Sequence, residues 1–203
     1  MQLKSSGNFA FIVGLITQLM FDYALGEKKV LATVPNMNVL LNDVLFMEVL
    51  QPSEIRYTFK IRLAKNFGIS FQRKYQSIEL AIAEPYHGCT HLSNTHLVKG
   101  RIVLIQRGEC SFVTKAINAE QAGAVGVVIT DNDVNNDHAF IDMIDDNTDR
   151  TVGIPATFLL GKDGNMIKNT LDRLHQQYAV ITIPINITGA NVYHVNQPPW
   201  TLW

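Results

Sequence analysis

The sequence predicts an α+β fold in which strands dominate, and two observations favour this class. Short runs rich in Val and Ile recur along the chain, as they do in buried strands, whereas only two segments have the spacing of an amphipathic helix. Residues 99–131 have the pattern of a strand, a crossover helix and a second strand parallel to the first. The 203 residues, 47% of them hydrophobic, suffice for one domain with a substantial core.

The strand–helix–strand unit rests on two apolar runs, at residues 102–105 and 125–129, with a helical pattern at residues 111–121 between them. Ser111 is the predicted N-cap, and Gly123 is the predicted left-handed residue that ends the helix. Each face of the helix has its own character. One face holds Val113, Ala116 and Ile117, and the other holds Thr114, Lys115, Asn118 and Gln121.

The other elements follow from the same patterns. Further strands are expected at residues 44–50, 55–61, 78–83, 154–160 and 179–187, and a second helix over residues 165–175. Residues 55–61 alternate between apolar and polar side chains, which predicts a strand with one buried face. The strand at residues 154–160 carries a proline near its start and is expected next to a sheet edge.

Residues 1–26 have the layout of a secretory signal peptide. Lys4 is the only charge before an apolar run at residues 9–21, and a small-x-small site ends at Gly26, where we expect cleavage. The alternative is an uncleaved membrane anchor, but the run is shorter than the roughly 20 residues that a span requires. Residues 27–43 are expected to form a loosely attached leader, and the mature chain is expected to be secreted without a membrane span.

The chain contains two cysteines, Cys89 and Cys110. In the oxidising compartment that a signal peptide implies, an even pair is expected to form a disulfide. The alternative is that Cys110 is a nucleophile, because a helix N-terminus lowers the pKa of a thiol. Asn186 begins an Asn-Ile-Thr sequon and is the expected glycosylation site, with an unused sequon as the alternative.

Two polar segments are candidates for a metal site. His87, Cys89 and His91 could share one side of an extended loop, but a zinc cluster needs more ligands and the disulfide would consume Cys89. The second segment alternates as calcium ligands do, at Asp131, Asp133, Asn135 and Asp137. Its sixth position is Asn136 where a calcium loop requires glycine, and Asp and Asn side chains commonly satisfy their own turns. These four residues are weak candidates, and we expect neither a metal nor another cofactor.

Residues 188–203 form an aromatic C-terminal tail containing Trp200 and Trp203. Tryptophan side chains are unfavourable in water, so the two rings either pack back on the domain or anchor a partner. Packing back is the interpretation we prefer. Partner anchoring by both tryptophans is the alternative.

The chain carries none of the common catalytic motifs. It has no Gly-x-Ser-x-Gly elbow, no His-Glu-x-x-His helix and no phosphate loop, so no catalytic residues are expected. The formal net charge of −1 provides no basic field to attract phosphate, so no nucleic-acid partner is expected.

Four short motifs point to a family. Lys-Gly-x-Ile-Val-Leu begins at Lys99, Arg-Gly-x-Cys-x-Phe begins at Arg107, Ala-Gly-Ala begins at Ala122, and Ile-Pro-Ala occupies residues 154–156. With these motifs, residues 44–187 resemble a protease-associated (PA) domain. The resemblance implies a compact β-sandwich or barrel with flanking helices and no catalytic residues of its own.

The resemblance also suggests a function. PA domains elsewhere accompany proteases, sorting receptors or membrane ubiquitin ligases and contribute ligand recognition, so it implies a secreted, non-catalytic interaction module with an unknown protein or peptide partner. One alternative is an accessory subunit that steers substrates to a protease. Another is a secreted metal-binding hydrolase that uses residues 87–96. A ligand is expected to contact the polar loops at the strand ends.

Overall fold

The computed structural model describes residues 44–187 and 195–201. The strands are β1 (Val44–Gln51), β2 (Thr58–Leu63), β3 (Tyr75–Ile82), β4 (Ile102–Gln106), β5 (Gly126–Thr130), β6 (Ala156–Leu159) and β7 (Tyr178–Ile185). The helices are α1 (Thr95–Val98), α2 (Phe112–Gln121) and α3 (Gly161–Leu174), and a 3-10 turn spans Ser53–Ile55. The strands close into a barrel in the order β1-β2-β6-β5-β4-β3-β7. The strand-dominated α+β class is therefore confirmed.

The barrel wall combines two kinds of strand pairing. β3, β4, β5 and β6 lie parallel to one another, whereas β1, β2 and β7 make antiparallel pairs. The register of β4 on β5 runs from Ile102 opposite Gly126 to Gln106 opposite Thr130, which confirms the parallel strand–helix–strand unit. Because four neighbouring strands point the same way, their carboxyl ends meet at one end of the barrel. We call this end the carboxyl rim.

The parallel strands are buried on both faces. Ile102 and Leu104 of β4 are fully buried, while Val103 and Ile105 of the same strand pack in a second cluster that includes α2. A strand covered on both sides has no polar face, so it appears in the sequence as a continuous apolar run. Among the described residues, none of the helices has the length and apolarity needed to cross a membrane.

The ends of α2 agree with prediction, but one of its faces does not. The Ser111 hydroxyl accepts a hydrogen bond from the Thr114 amide at 3.1 Å, and Gly123 follows with φ of 83°. Lys115, predicted on the polar face, is fully buried. The prediction is wrong because the loops that follow β3 and β4 cover this side of the helix and offer carbonyl oxygens to the ammonium group.

Two other predicted elements differ from the structure. Residues 55–61 are not one strand, because the amide of Ile55 donates to the carbonyl of Pro52 in the 3-10 turn, and β2 begins only at Thr58. β6 is not next to an edge, since β2 and β5 flank it in the closed barrel.

The helix predicted over residues 165–175 is α3, and it begins four residues earlier, at Gly161. A Cβ atom on Gly161 would lie 1.9 Å from the carbonyl oxygen of Asp133, and one on Gly164 would lie 2.0 Å from the Thr130 hydroxyl. Glycine at these positions lets the helix start directly against the end of β5. In the sequence, Lys162, Asp163 and Gly164 suggest a turn before the helix.

Several predictions concern residues outside those described. The signal peptide at residues 1–26, the leader at residues 27–43, Trp203 and the threonine of the sequon all lie there. Asn186, the first residue of the sequon, is described and exposed.

Candidate functional site

A polar cleft of about 210 Å³ opens at the carboxyl rim. Every parallel strand contributes to it, through the loop after β3, the last residue of β4, the end of β5 and the first turns of α3. The lining residues are Tyr86, Gln106, Thr130, Asp131, Val134, Gly161, Asn165, Lys168 and Asn169. Ligands of parallel α/β sheets bind beyond the carboxyl ends of the strands, so the cleft occupies the position that topology favours.

The size of the cleft limits what it can hold. Pockets for drug-sized ligands have volumes of roughly 300–1,000 Å³. A cleft of about 210 Å³ instead accommodates one or two side chains or a single small polar group. Its lining includes no histidine, serine or cysteine. The groups present are amides, one carboxylate, two hydroxyls and one ammonium, which recognise polar ligands by hydrogen bonding.

Asp131 holds the floor of the cleft in shape. This buried carboxylate accepts hydrogen bonds from the Arg107 guanidinium at 3.0 Å, the Asn132 amide at 2.8 Å and the Asn136 side chain at 2.6 Å. Buried carboxylates are stable when paired in this way. Asp131 therefore fixes the loop between β5 and β6 rather than presenting a free charge.

Two of the remaining weak calcium candidates, Asp133 and Asp137, also bond to protein donors. Asp133 accepts from the Asn135 amide at 2.9 Å, and Asp137 contacts His138 at 2.9 Å and Lys162 at 3.0 Å. The hydrogen bonds from His138 and Lys162 hold the pKa of Asp137 below its usual value. The alternation in the sequence thus corresponds to Asx turns and side-chain ion pairs in the loop.

One wall of the cleft combines an aromatic ring with an ion pair. The Lys168 ammonium lies 5.5 Å from the centre of the Tyr86 ring and 2.6 Å from the Asp172 carboxylate. Burial, with a smaller contribution from Asp172, raises the pKa of the Tyr86 hydroxyl above its ordinary value. The phenol therefore stays protonated and can act as a neutral hydrogen-bonding group.

The loop behind this wall carries the disulfide. Cys89 and Cys110 are bonded, with Cα atoms 5.7 Å apart, which excludes Cys110 as a free nucleophile. Within the described residues, potential metal-ligand atoms converge only at His87, Cys89 and Glu109, within 4.8 Å of one another, and His91 is not in this group. A sulfur held in a disulfide is not a thiolate ligand, so the oxidised loop offers only two ligands where zinc prefers four.

Lys115 ties the two disulfide-bonded loops together. Its ammonium donates to the carbonyls of His87 at 2.5 Å and Gly108 at 2.6 Å, and lies 3.4 Å from the Cys89 sulfur. Burial lowers its pKa to about 8, while Glu109 acts in the opposite direction. Helical periodicity misses this contact. The signal in the sequence that could have revealed it is the place of Lys115 in the PA-type motif, five residues after Cys110.

The C-terminal tail returns to the carboxyl rim beside the cleft. The carbonyl of Asn196 accepts from the Thr58 amide at 2.7 Å, and the Trp200 indole donates to Asp163 at 2.9 Å. Lys162 covers the Trp200 ring at 4.9 Å from its centre. Trp200 thus packs against the domain, which is the interpretation that the sequence favours over partner anchoring. Asp163 is only 2% exposed, and burial raises its pKa to about 6.

Comparison with known proteins gives matches across most of the chain. The PA domain profile matches residues 75–167. A PRADC1-like protein of Drosophila melanogaster is 40% identical over 173 residues, which cover 84% of this chain and 87% of that protein. ER degradation-enhancing alpha-mannosidase-like protein 3 of Xenopus laevis is 41% identical over 106 residues, 50% of this chain and 12% of that protein. A zinc aminopeptidase structure from Bacillus subtilis matches 70% of this chain and 30% of its own, at 19% identity and a TM-score of 0.47.

Proposed function

The chain belongs to the PA domain family, and we propose that it acts in the secretory pathway as a non-catalytic module that binds a protein or peptide partner. The observation that carries this proposal is the cleft at the carboxyl rim. It is too small for a drug-sized ligand, and it is lined by side chains that donate and accept hydrogen bonds. One or two side chains of an extended partner segment would fill it.

The rim of the cleft also supports a macromolecular partner. Val134 is 44% exposed at its edge, which makes it one of the most exposed large apolar side chains described. Asn169 is exposed beside it, on the third turn of α3. An apolar contact surrounded by polar groups is typical of a protein interface.

The proposed secretory location is supported by the disulfide and by the signal-peptide pattern of residues 1–26. We also propose that Asn186 carries an N-linked glycan. Asn186 follows β7, which runs antiparallel to β3, so it lies at the end of the barrel opposite the carboxyl rim. A glycan there would leave the cleft open.

The test uses the full chain secreted from a eukaryotic host, captured from medium together with the proteins it binds. Lys168→Glu reverses a charge inside the cleft, and Lys74→Glu makes the same change at an exposed site before β3, at the opposite end of the barrel. We expect a stoichiometric partner with the wild type and with Lys74→Glu, and its loss with Lys168→Glu. Equal recovery with both variants would contradict the assignment of the cleft. A protease as the partner would favour the accessory role.

A further inference from the structure

The surroundings of the Cys89–Cys110 disulfide suit a bond that opens and closes. Both cysteines are partly accessible to solvent. The Lys115 ammonium lies 3.4 Å from the sulfur of Cys89. A cation beside one sulfur stabilises the thiolate of that cysteine, and a stabilised thiolate is the better leaving group in thiol–disulfide exchange.

We propose that Cys89–Cys110 is an exchangeable disulfide in which a thiol reductant attacks Cys110 and Lys115 receives Cys89 as the leaving thiolate. The attacking thiolate forms a new bond to the Cys110 sulfur, and the Cys89 sulfur departs with the electron pair of the broken bond. A second thiol of the reductant then attacks the reductant sulfur that is bonded to Cys110 in the mixed disulfide, and this step releases Cys110. The reductant leaves as a disulfide. Of its two protons, one goes to Cys110 and the other to solvent.

The other charged groups around Cys89 are weaker than Lys115. Glu109 opposes a thiolate, but 66% of its side chain is exposed and water screens its charge. His87 accepts a hydrogen bond from the Cys89 amide at 3.0 Å through Nδ1, the nitrogen that also lies 3.5 Å from Glu109. The carbonyl oxygens of His87 and Gly108, each 3.6 Å from the Cys89 sulfur, also oppose a thiolate. Both accept hydrogen bonds from the Lys115 ammonium, which carries the full charge nearest to the sulfur, at 3.4 Å.

The loops remain attached to the barrel without the disulfide. Lys115 bridges the carbonyls of His87 and Gly108, one from each loop. Asn118 donates to the carbonyl of Gly88 at 2.9 Å, and the amide of Gln106 donates to the carbonyl of Tyr86 at 2.9 Å. Opening the disulfide is thus a local event, which leaves Lys115 positioned to hold the thiolate.

The first experiment identifies the attacked sulfur. The oxidised full chain is incubated with glutathione, quenched with acid and digested, and the mixed disulfide is located by mass spectrometry. We expect the glutathione adduct on Cys110. An adduct mainly on Cys89, or equal adducts on both, would overturn the proposal.

The second experiment measures thiolate character in the chain reduced with dithiothreitol. At pH 6 we expect iodoacetamide to label Cys89 roughly ten times faster than Cys110, which corresponds to a thiol pKa about two lower once the weaker nucleophilicity of the thiolate is included. Lys115→Met should abolish the difference. Because that variant removes a buried contact and can fail to fold, the site of the glutathione adduct in the wild-type chain is the second measurement. Equal labelling in the wild type, or loss of the barrel's circular dichroism on reduction, would overturn the proposal.

Discussion

Lys115 and Asp163 are both buried at the carboxyl rim, but their surroundings differ. The Lys115 ammonium has two carbonyl acceptors, and its pKa of about 8 keeps it mainly charged at neutral pH. The Asp163 carboxylate accepts from the Trp200 indole, and its pKa of about 6 places its titration near physiological pH. Burial disfavours the charged form of both groups. The number and kind of their hydrogen-bond partners therefore decide whether the group stays charged at neutral pH or titrates near it.

The two groups should therefore affect stability in opposite pH directions. For Asp163, the folded state binds more protons than the unfolded chain between about pH 3.8 and 6, so stability falls as pH rises through that window. For Lys115, the unfolded chain binds more protons between about pH 8 and 10.5, so stability rises with pH there.

The largest expected effect comes from Lys115→Met. It leaves the buried carbonyls of His87 and Gly108 without a donor. This cost should exceed what removal of the buried charge returns, so the free energy of unfolding should fall by about 3 kcal/mol at pH 7. Urea denaturation of the oxidised chain measures this change. Lys168→Met is the matched control, because Lys168 belongs to a partly exposed i,i+4 pair with Asp172 and should contribute at most about 0.5 kcal/mol. Similar losses in both variants would show that Lys115 contributes no more to stability than a partly exposed lysine.

The second effect is a gain of stability in Asp163→Asn. The amide keeps an oxygen for the Trp200 indole and removes the buried charge, so stability at pH 7.5 should rise by about 2 kcal/mol, less than the roughly 3 kcal/mol that a pKa of about 6 implies. The change should nearly vanish at pH 4, where the wild-type carboxyl is protonated. Urea denaturation at both pH values measures it, with Asp172→Asn on the exposed surface of α3 as control. A gain that is equal at both pH values would contradict the titration of Asp163.

The third effect concerns Trp200→Phe. It removes the indole donor that holds the pKa of Asp163 down, so that pKa should rise above about 6 and the chain should lose about 1 kcal/mol at pH 7.5. A double-mutant cycle with Asp163→Ala, which removes the acceptor, isolates the hydrogen bond from the lost packing. If the two substitutions are simply additive, the indole does not act through Asp163.

The smallest expected effect is that of Lys74→Glu, at an exposed position before β3. It should change the free energy of unfolding by less than about 0.5 kcal/mol, because exposed substitutions rarely alter stability. Thermal denaturation checks this value, and a larger loss would disqualify the variant as a control for the cleft.

The same contrast explains how much of the molecule could be predicted from its sequence. Residues 102–105 and 125–129 form parallel strands because a strand buried on both faces needs an unbroken apolar run. The caps of α2 were equally predictable, since Ser111 acts through a local contact. The burial of Lys115 and the start of α3 at Gly161 were not predictable, because residues far along the chain determine both.

The cleft was predictable in position only. Polar loops at strand ends were expected to carry a ligand, and the parallel topology brings Gln106, Asp131 and Asn165 together there. Their distances and partners depend on three-dimensional packing. In the case of Asp131, the alternation made it a weak calcium candidate, and its donors, Arg107 and Asn136, could not be identified from the sequence.

Site-specific photocrosslinking can show whether the carboxyl rim binds the partner. A benzophenone amino acid replaces Asn169, which is exposed in the cleft, or Gln76, which is exposed on β3 near the opposite end. The secreted chain is irradiated in medium, and adducts are identified by mass spectrometry. We expect one discrete protein adduct from position 169 and none from position 76. An adduct from position 76 alone, or the same adduct from both positions, would contradict binding at the carboxyl rim.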